Sequence, residues 1–247
     1  MAEPASTARQ DEVARFSALA ETWWDPEGPM KPLHRMNPAR MALLHGFLCD
    51  HFGRDPRALR PFAGLTMLDI GCGAGLLTEP MARLGFAVTG LDASEENVRV
   101  ARLHAGQEGL DVAYHPGGPE NLARQGRTFD AVLNMEVIEH VEDPDAFLGE
   151  CAALVRPGGV MALATLNRTW KSLAAAKIGA EYVLNWLPRG THDWRRFLKP
   201  SELAGVCRRR GLTVLDTRGL TYQPLRDAWQ VSRDLSVNYV LFAGKPG

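Results

Sequence analysis

The segment Leu68-Asp69-Ile70-Gly71-Cys72-Gly73-Ala74-Gly75 runs from an apolar strand into a glycine loop, and a helical pattern opens behind it at Leu76. Asp92 follows Gly75 by 17 residues and closes the next apolar run, residues 87–91. Small residues let the backbone approach a ligand closely, and a carboxylate at the second strand end can accept hydrogen bonds from both hydroxyls of a ribose. The spacing therefore predicts a nucleoside-binding turn. A dinucleotide fingerprint, GxGxxG counted from Gly71, needs glycine at position 76, where the chain has Leu76, so NAD and FAD are disfavoured.

Outward from this turn, short apolar runs at residues 66–70, 87–91, 112–115, 131–134 and 160–165 alternate with helical patterns at 76–84, 95–106 and 144–155, the last stopped by Pro157-Gly158-Gly159. Such alternation predicts an α/β fold, a doubly wound, Rossmann-like and mostly parallel sheet. Two final strands are expected at 212–216 and 239–243. Upstream, a helical pattern at 13–19 gives way to a loop at Trp23-Trp24-Asp25-Pro26, whose paired indoles either cap the core or wall a pocket. A second helix is expected at 38–52. The chain reads as one domain, 1–247: a helical cap to 60, a cofactor-binding core at 65–167, an insertion at 168–197 and a completion of the sheet at 198–247.

Of 247 residues, 45% are hydrophobic and 23% charged, which excludes disorder, collagen and coiled coil. Lys and Arg (28) nearly balance Asp and Glu (29), so no nucleic-acid partner is expected. The four cysteines form no CxxC pair for zinc or redox work. No apolar run reaches the ~18 residues of a membrane span, and Asp11 and Glu12 follow a start without an apolar stretch, so a cytoplasmic location is expected.

The short form hDhGxGxG with Asp92 resembles the loop of class I S-adenosylmethionine-dependent methyltransferases. Phe129-Asp130-Ala131-Val132-Leu133-Asn134 and Val155-Arg156-Pro157-Gly158-Gly159 resemble the fourth strand and the turn before the fifth strand of that superfamily. In it, the acid at Asp69 supports the loop and the methionine amino group. Three further stretches, Phe16 to Arg40, Glu136-Val137-Ile138-Glu139-His140-Val141, and Thr165-Leu166-Asn167-Arg168 through Trp194, closely resemble the ubiquinone biosynthesis O-methyltransferases. The resemblance covers about residues 16–239.

It implies methyl transfer from S-adenosylmethionine to a phenolic hydroxyl of polyprenylated, catechol-like ubiquinone precursors, at two separate steps, the 2-polyprenyl-6-hydroxyphenol and the 3-demethylubiquinol. It also implies association with other enzymes of that pathway. Cofactor positions carry over as Arg40, Gly71, Asp92 and Met135, alongside Asp69, Gly73 and Gly75 of the loop. Arg40 suits a clamp for the methionyl carboxylate. Alternatives of other classes are a small Rossmann oxidoreductase, a non-catalytic S-adenosylmethionine-binding module and a nucleic-acid methyltransferase. The last would show an Asn/Asp-Pro-Pro-aromatic segment where this chain has Asn134-Met135-Glu136-Val137.

Glu136, Glu139 and His140 are spaced i, i+3 and i+4, so on a helix start they share one face. From spacing alone, the glutamates favour a helix N-terminus and His140 packs. With the resemblance, the chemistry of a phenol points further. Ionising a group of pKa ~10 at neutral pH costs about 4 kcal/mol, and a histidine of pKa ~6.5 falls short as its base. A divalent cation, Mg or Mn, on the catechol oxygens closes that gap, held by the same three residues. His192 beside Asp193 and His34 are secondary candidates, for acid/base work and for substrate contact. The polyprenyl tail needs a route from the bilayer. Trp170, Leu173, Ala174, Ile178, Tyr182, Val183 and Trp186, interspersed with Arg168, Lys171, Lys177 and Arg189, predict either an interfacial amphipathic segment over 168–189 or a lid helix packed on the core.

Overall fold

In a computed structural model of the chain, the described residues are 9–174 and 194–247. The elements are α1 Gln10–Ser17, α2 Lys31–Phe52, β1 Thr66–Ile70, α3 Thr78–Arg83, β2 Ala87–Asp92, α4 Glu95–Gln107, β3 Val112–Pro116, α5 Pro119–Arg124, β4 Phe129–Met135, α6 Pro144–Ala153, β5 Val155–Leu166, α7 Trp170–Leu173, α8 Pro200–Arg209, β6 Thr213–Gln223, β7 Ala228–Ser232 and β8 Asn238–Gly244. The strands form one sheet in the order β3-β2-β1-β4-β5-β8-β6-β7. The pairs among β1 to β5 are parallel, whereas β8 runs antiparallel to both β5 and β6, and β7 antiparallel to β6. Strand order reverses beside β1, and ligands of such sheets bind beyond the strand ends at that switch point.

The period-2 alternation of the strands sorts the core onto two faces. Leu68, Val132, Met161, Leu163, Tyr239 and Leu241 meet α6 and α8 through Phe147, Leu148, Leu203 and Cys207. Met67, Leu133, Ala162, Val240 and Phe242 meet α2 and α3 through Leu44, Leu48, Leu77 and Met81. Both faces being covered explains why the central strands read as nearly continuous apolar runs. All four cysteines are free and buried.

Several boundaries differ from expectation. Helix α2 begins at Lys31 and carries Pro38 inside it, where the sequence pointed to a start at 38. Met36 ahead of the proline and Ala39, Leu43 and Leu44 behind it are buried in one cluster, so packing holds the helix through the lost hydrogen bond. Strand β5 starts at Val155, which pairs with Phe129, and the register shift between Phe129 and Ala131 absorbs the Pro-Gly-Gly turn. Strand β6 extends to Gln223 because β7 and β8 supply its partners. Helix α5 and strand β7 escape sequence reading: α5 is too short to show a period, and β7 is a half-exposed edge without alternation.

Candidate active site

The glycine loop leaves β1 and turns back under β2, with the Gly71 and Cys72 amides both donating to the Leu91 carbonyl, at 2.7 and 2.9 Å. Gly71 has φ +74°, and a Cβ there would lie 2.2 Å from Val137 Cγ2; Gly73 has φ +54°, and its Cβ would lie 2.2 Å from the Trp23 ring. Glycine is required at both by conformation and by space. The Gly75 amide closes the turn on the Cys72 carbonyl at 3.0 Å.

Asp69 is buried on β1 and accepts a hydrogen bond from Thr78 Oγ1 at 2.6 Å, which carries the chain from loop into α3. Burial pushes its carboxyl up to about 7 despite that bond. Asp92, at the tip of β2, accepts from the Gly73 amide at 2.9 Å, the Ser94 amide at 2.9 Å and Asn97 Nδ2 at 3.1 Å. Its pKa is raised by burial, with those bonds opposing the rise. A carboxylate has about four lone-pair sites, so Asp92 ties the loop to α4 and retains roughly one site for a ligand.

Beyond β4 the sequence expectation needs correction. Glu136, Glu139 and His140 do not share a face at a helix start. Glu136 adopts φ +59°, rare for a residue with a Cβ, and its amide bonds the Ala164 carbonyl at 2.9 Å. The turn throws its carboxylate toward α2, where Arg40 Nη2 meets it at 3.1 Å. A single 3-10 turn, Ile138–His140, follows. Glu139 turns inward and takes the Thr165 hydroxyl on Oε2 at 2.8 Å; its other oxygen is buried with no partner. Burial and then the negative charge of Glu136 push Glu139 up to about 8. His140 Nδ1 instead pairs with Glu12 of α1 at 3.1 Å, and Phe16 stands edge-on to its ring at 5.6 Å. Burial pulls the imidazole pKa down, but the Glu12 bond and the charges of Glu139, Glu12 and Glu136 leave it raised. Among the described residues no three His, Cys, Asp or Glu side chains converge on a point where a metal ion fits.

Met135 and Asn134 end β4 as buried residues, and Asn167 follows β5, so all three lie at the carboxyl ends as the sheet logic requires. Arg40 is buried, with Nε unpartnered. His34 Nε2 bonds the Trp23 carbonyl at 2.8 Å. Both indoles belong to the cap. Trp23 joins a cluster with Ala20, Met30, Ala74 and Leu76, and Trp24 donates to the Ala74 carbonyl at 3.0 Å while stacking on His104 at 3.5 Å. Glu12, Thr78, Asn97 and Thr165 are residues around the site that sequence reasoning missed. Of these, Asn97 alone carried a local signal, lying three residues beyond the helix cap Ser94. Trp170 is 79% exposed and stacks on Trp194 at 5.9 Å. Ile178, Tyr182, Val183, Trp186, Lys177, Arg189, His192 and Asp193 lie outside the described residues.

A glycine turn tied to a buried acid at the end of the next strand, at the switch point of this sheet, is the arrangement of an S-adenosylmethionine-dependent methyltransferase of class I. A family model described as a methyltransferase domain matches residues 42–217. Solved structures share the fold: a magnesium protoporphyrin IX methyltransferase of Synechocystis with bound S-adenosylhomocysteine has TM-score 0.66 at 20% identity, covering 95% of this chain and all of that one. A 1,6-didemethyltoxoflavin-N1-methyltransferase of Burkholderia thailandensis has TM-score 0.61 at 19% identity, covering 100% of this chain and 94% of that one. Curated relatives are nearer in sequence. A ubiquinone biosynthesis O-methyltransferase of Paramagnetospirillum magneticum is 56% identical across 97% of this chain and 96% of its own. The homologous enzyme of Chelativorans is 54% identical across 98% and 95%. The chain belongs to the ubiquinone biosynthesis O-methyltransferase family.

Proposed function

We propose that the protein transfers the methyl group of S-adenosylmethionine to a phenolic oxygen of a polyprenylated catechol in ubiquinone biosynthesis, at both O-methylation steps. The observation that carries the mechanism is the Glu12–His140 pair at the mouth of the switch point. The donor sulfonium is already activated, so the enzyme must orient the two reactants and manage one proton. Gly71 and Gly73 hold the tight turn that shapes the donor pocket, with Val137 and Trp23 packed against them, Asp92 offers its remaining lone pair to the ribose, Asp69 faces the amino group, and Arg40 takes the carboxylate. His140 accepts the phenol proton as the S–CH3 bond breaks and the O–CH3 bond forms; the products are the methyl ether and S-adenosylhomocysteine. Glu12 holds Nδ1 and so favours the tautomer in which Nε2 is the proton acceptor.

Supplying labelled S-adenosylmethionine with either short-chain demethylubiquinol or a simple catechol tests the acceptor. Strong preference for the prenylated quinol is expected; equal turnover of both would assign a small-phenol enzyme. His140→Ala should lower kcat by about 10²–10⁴-fold and Glu12→Gln by less.

A second reading adds Mg²⁺ or Mn²⁺ on the catechol oxygens. The partnerless buried oxygen of Glu139, beside a second carboxylate, favours it. The donors as placed do not fit, because Glu136 is turned to Arg40 and His140 to Glu12, so the steps above use no cation. Chelation decides: abolished turnover with unchanged S-adenosylhomocysteine affinity supports the cation, and full activity in metal-free buffer leaves His140 alone.

Among the described residues no helix is long and apolar enough to cross a membrane. Peripheral contact through residues 168–189 is the route we assign to the polyprenyl tail, supported by the exposed Trp170 beside Lys171. Trp170→Ser should reduce pelleting with anionic liposomes.

A further inference from the structure

We infer that Trp23 is a donor-binding residue: its ring roofs the second glycine of the loop, and its indole N–H supplies a hydrogen bond to the methionyl carboxylate of bound S-adenosylmethionine. Three observations place it there. Trp23 is 8% exposed, and the outer edge of its ring, Cη2, Cζ3 and Cζ2, occupies the space where a Cβ on Gly73 would stand. Its Nε1 is buried and has no partner among the described residues, an expensive state for a donor that water cannot reach. The backbone around it is pinned: the Trp23 carbonyl accepts from His34 of α2, and Trp24 Nε1 is anchored on the Ala74 carbonyl of the same loop.

A side chain held this firmly against the loop, with a dry N–H left over, is built to receive an acceptor. Arg40 Nε is a second unpartnered buried donor, and it stands on α2, the helix that pins Trp23. Asn37, one turn before Arg40, bonds the Leu76 carbonyl at 3.0 Å and so fixes that helix against the end of the loop. The indole N–H lies among Ala20, Met30, Ala74 and Leu76, and Arg40 brings a guanidinium on the neighbouring helix; an N–H donor with a cation on the next element suits an anion, and the donor molecule has one, its carboxylate. The ribose hydroxyls are left to Asp92.

The inference rests on the donor reading, so calorimetric titration of wild type with S-adenosylhomocysteine comes first and tests that reading by itself. Trp23→Phe keeps the ring over Gly73 and removes the N–H. It should weaken S-adenosylhomocysteine about tenfold while leaving 5′-methylthioadenosine, which lacks the carboxylate, within a factor of two. S-adenosylhomocysteine affinity within a factor of two of wild type would overturn the inference. Equal weakening of both ligands would move the bond to the nucleoside and overturn the carboxylate assignment. Gly73→Ala gives an independent check on the roof: its Cβ would push the ring away, so the loss of affinity should be larger in wild type than in a Trp23→Ala background. Equal losses would mean that the glycine answers to φ alone. Thermal melts of each variant confirm that it is folded.

Discussion

At Asp92 three N–H groups of the protein already share the carboxylate, so the side chain we propose for the ribose also builds the loop. Asp92→Asn keeps the size but replaces one acceptor oxygen with a donor facing other donors. It should weaken S-adenosylhomocysteine by roughly 10–100-fold and lower the melting temperature as well. Binding within a factor of two of wild type would remove Asp92 from the site. Asp69 differs because its partner is a hydroxyl, Thr78, and its folded pKa sits near 7. The unfolded carboxyl titrates near 3.9, so between about pH 4 and 7 the folded chain keeps a proton the unfolded chain has lost. Stability therefore falls as pH rises through that window, and Glu139 extends the fall to about 8. Asp69→Asn should flatten the change in urea midpoint between pH 5 and 7.5; a slope equal to wild type would contradict the burial of a titrating Asp69. The acid–glycine spacing was legible in the sequence because strand and loop are contiguous. Glu12 was not, since only packing sets it beside His140, 128 positions away.

Helix α1 buries none of its own residues, yet it reaches both halves of the site: Glu12 and Phe16 meet His140, and Ser17 Oγ lies 2.6 Å from Ser94 Oγ at the start of α4. Little apolar area is lost if it leaves, but His140, the base we propose, loses Glu12. Truncation of residues 1–17 should shift the melting temperature by no more than about 2–4 °C, the equivalent of about 1 kcal/mol, while lowering kcat at least tenfold. Unchanged kcat would reduce α1 to a packing element. The short 3-10 turn after β4 teaches a related lesson. Spacing of i, i+3 and i+4 suggested one helix face, but the left-handed Glu136 and the pull of Arg40 spread the three side chains toward α2, the core and α1.

Across the whole molecule, two apolar clusters share a single sheet, and the ligand turn sits between them at its switch point. Binding should therefore stabilise the chain as a unit. S-adenosylhomocysteine at about 100 times its Kd contributes about 2.7 kcal/mol, or roughly 5–10 °C in melting temperature for a chain of 247 residues. NAD at the same concentration should give no shift. A shift with NAD and none with S-adenosylhomocysteine would reverse the assignment.

By itself the sequence determined the α/β alternation, the loop chemistry and the family, because each depends on residues near one another in the chain: a strand, a glycine turn, and an acid one strand later. Tertiary structure alone decided which charges meet. Arg40 with Glu136, Glu12 with His140, Thr165 with Glu139 and Trp23 with Gly73 are pairs from separate elements. It also decided that α2 continues through Pro38 and that β6 extends to meet β7. The physical reason is common to all of them. Local patterns encode which face of an element is apolar, but the partner of a polar side chain depends on where the sheet places other elements, and that placement follows from packing of both faces at once.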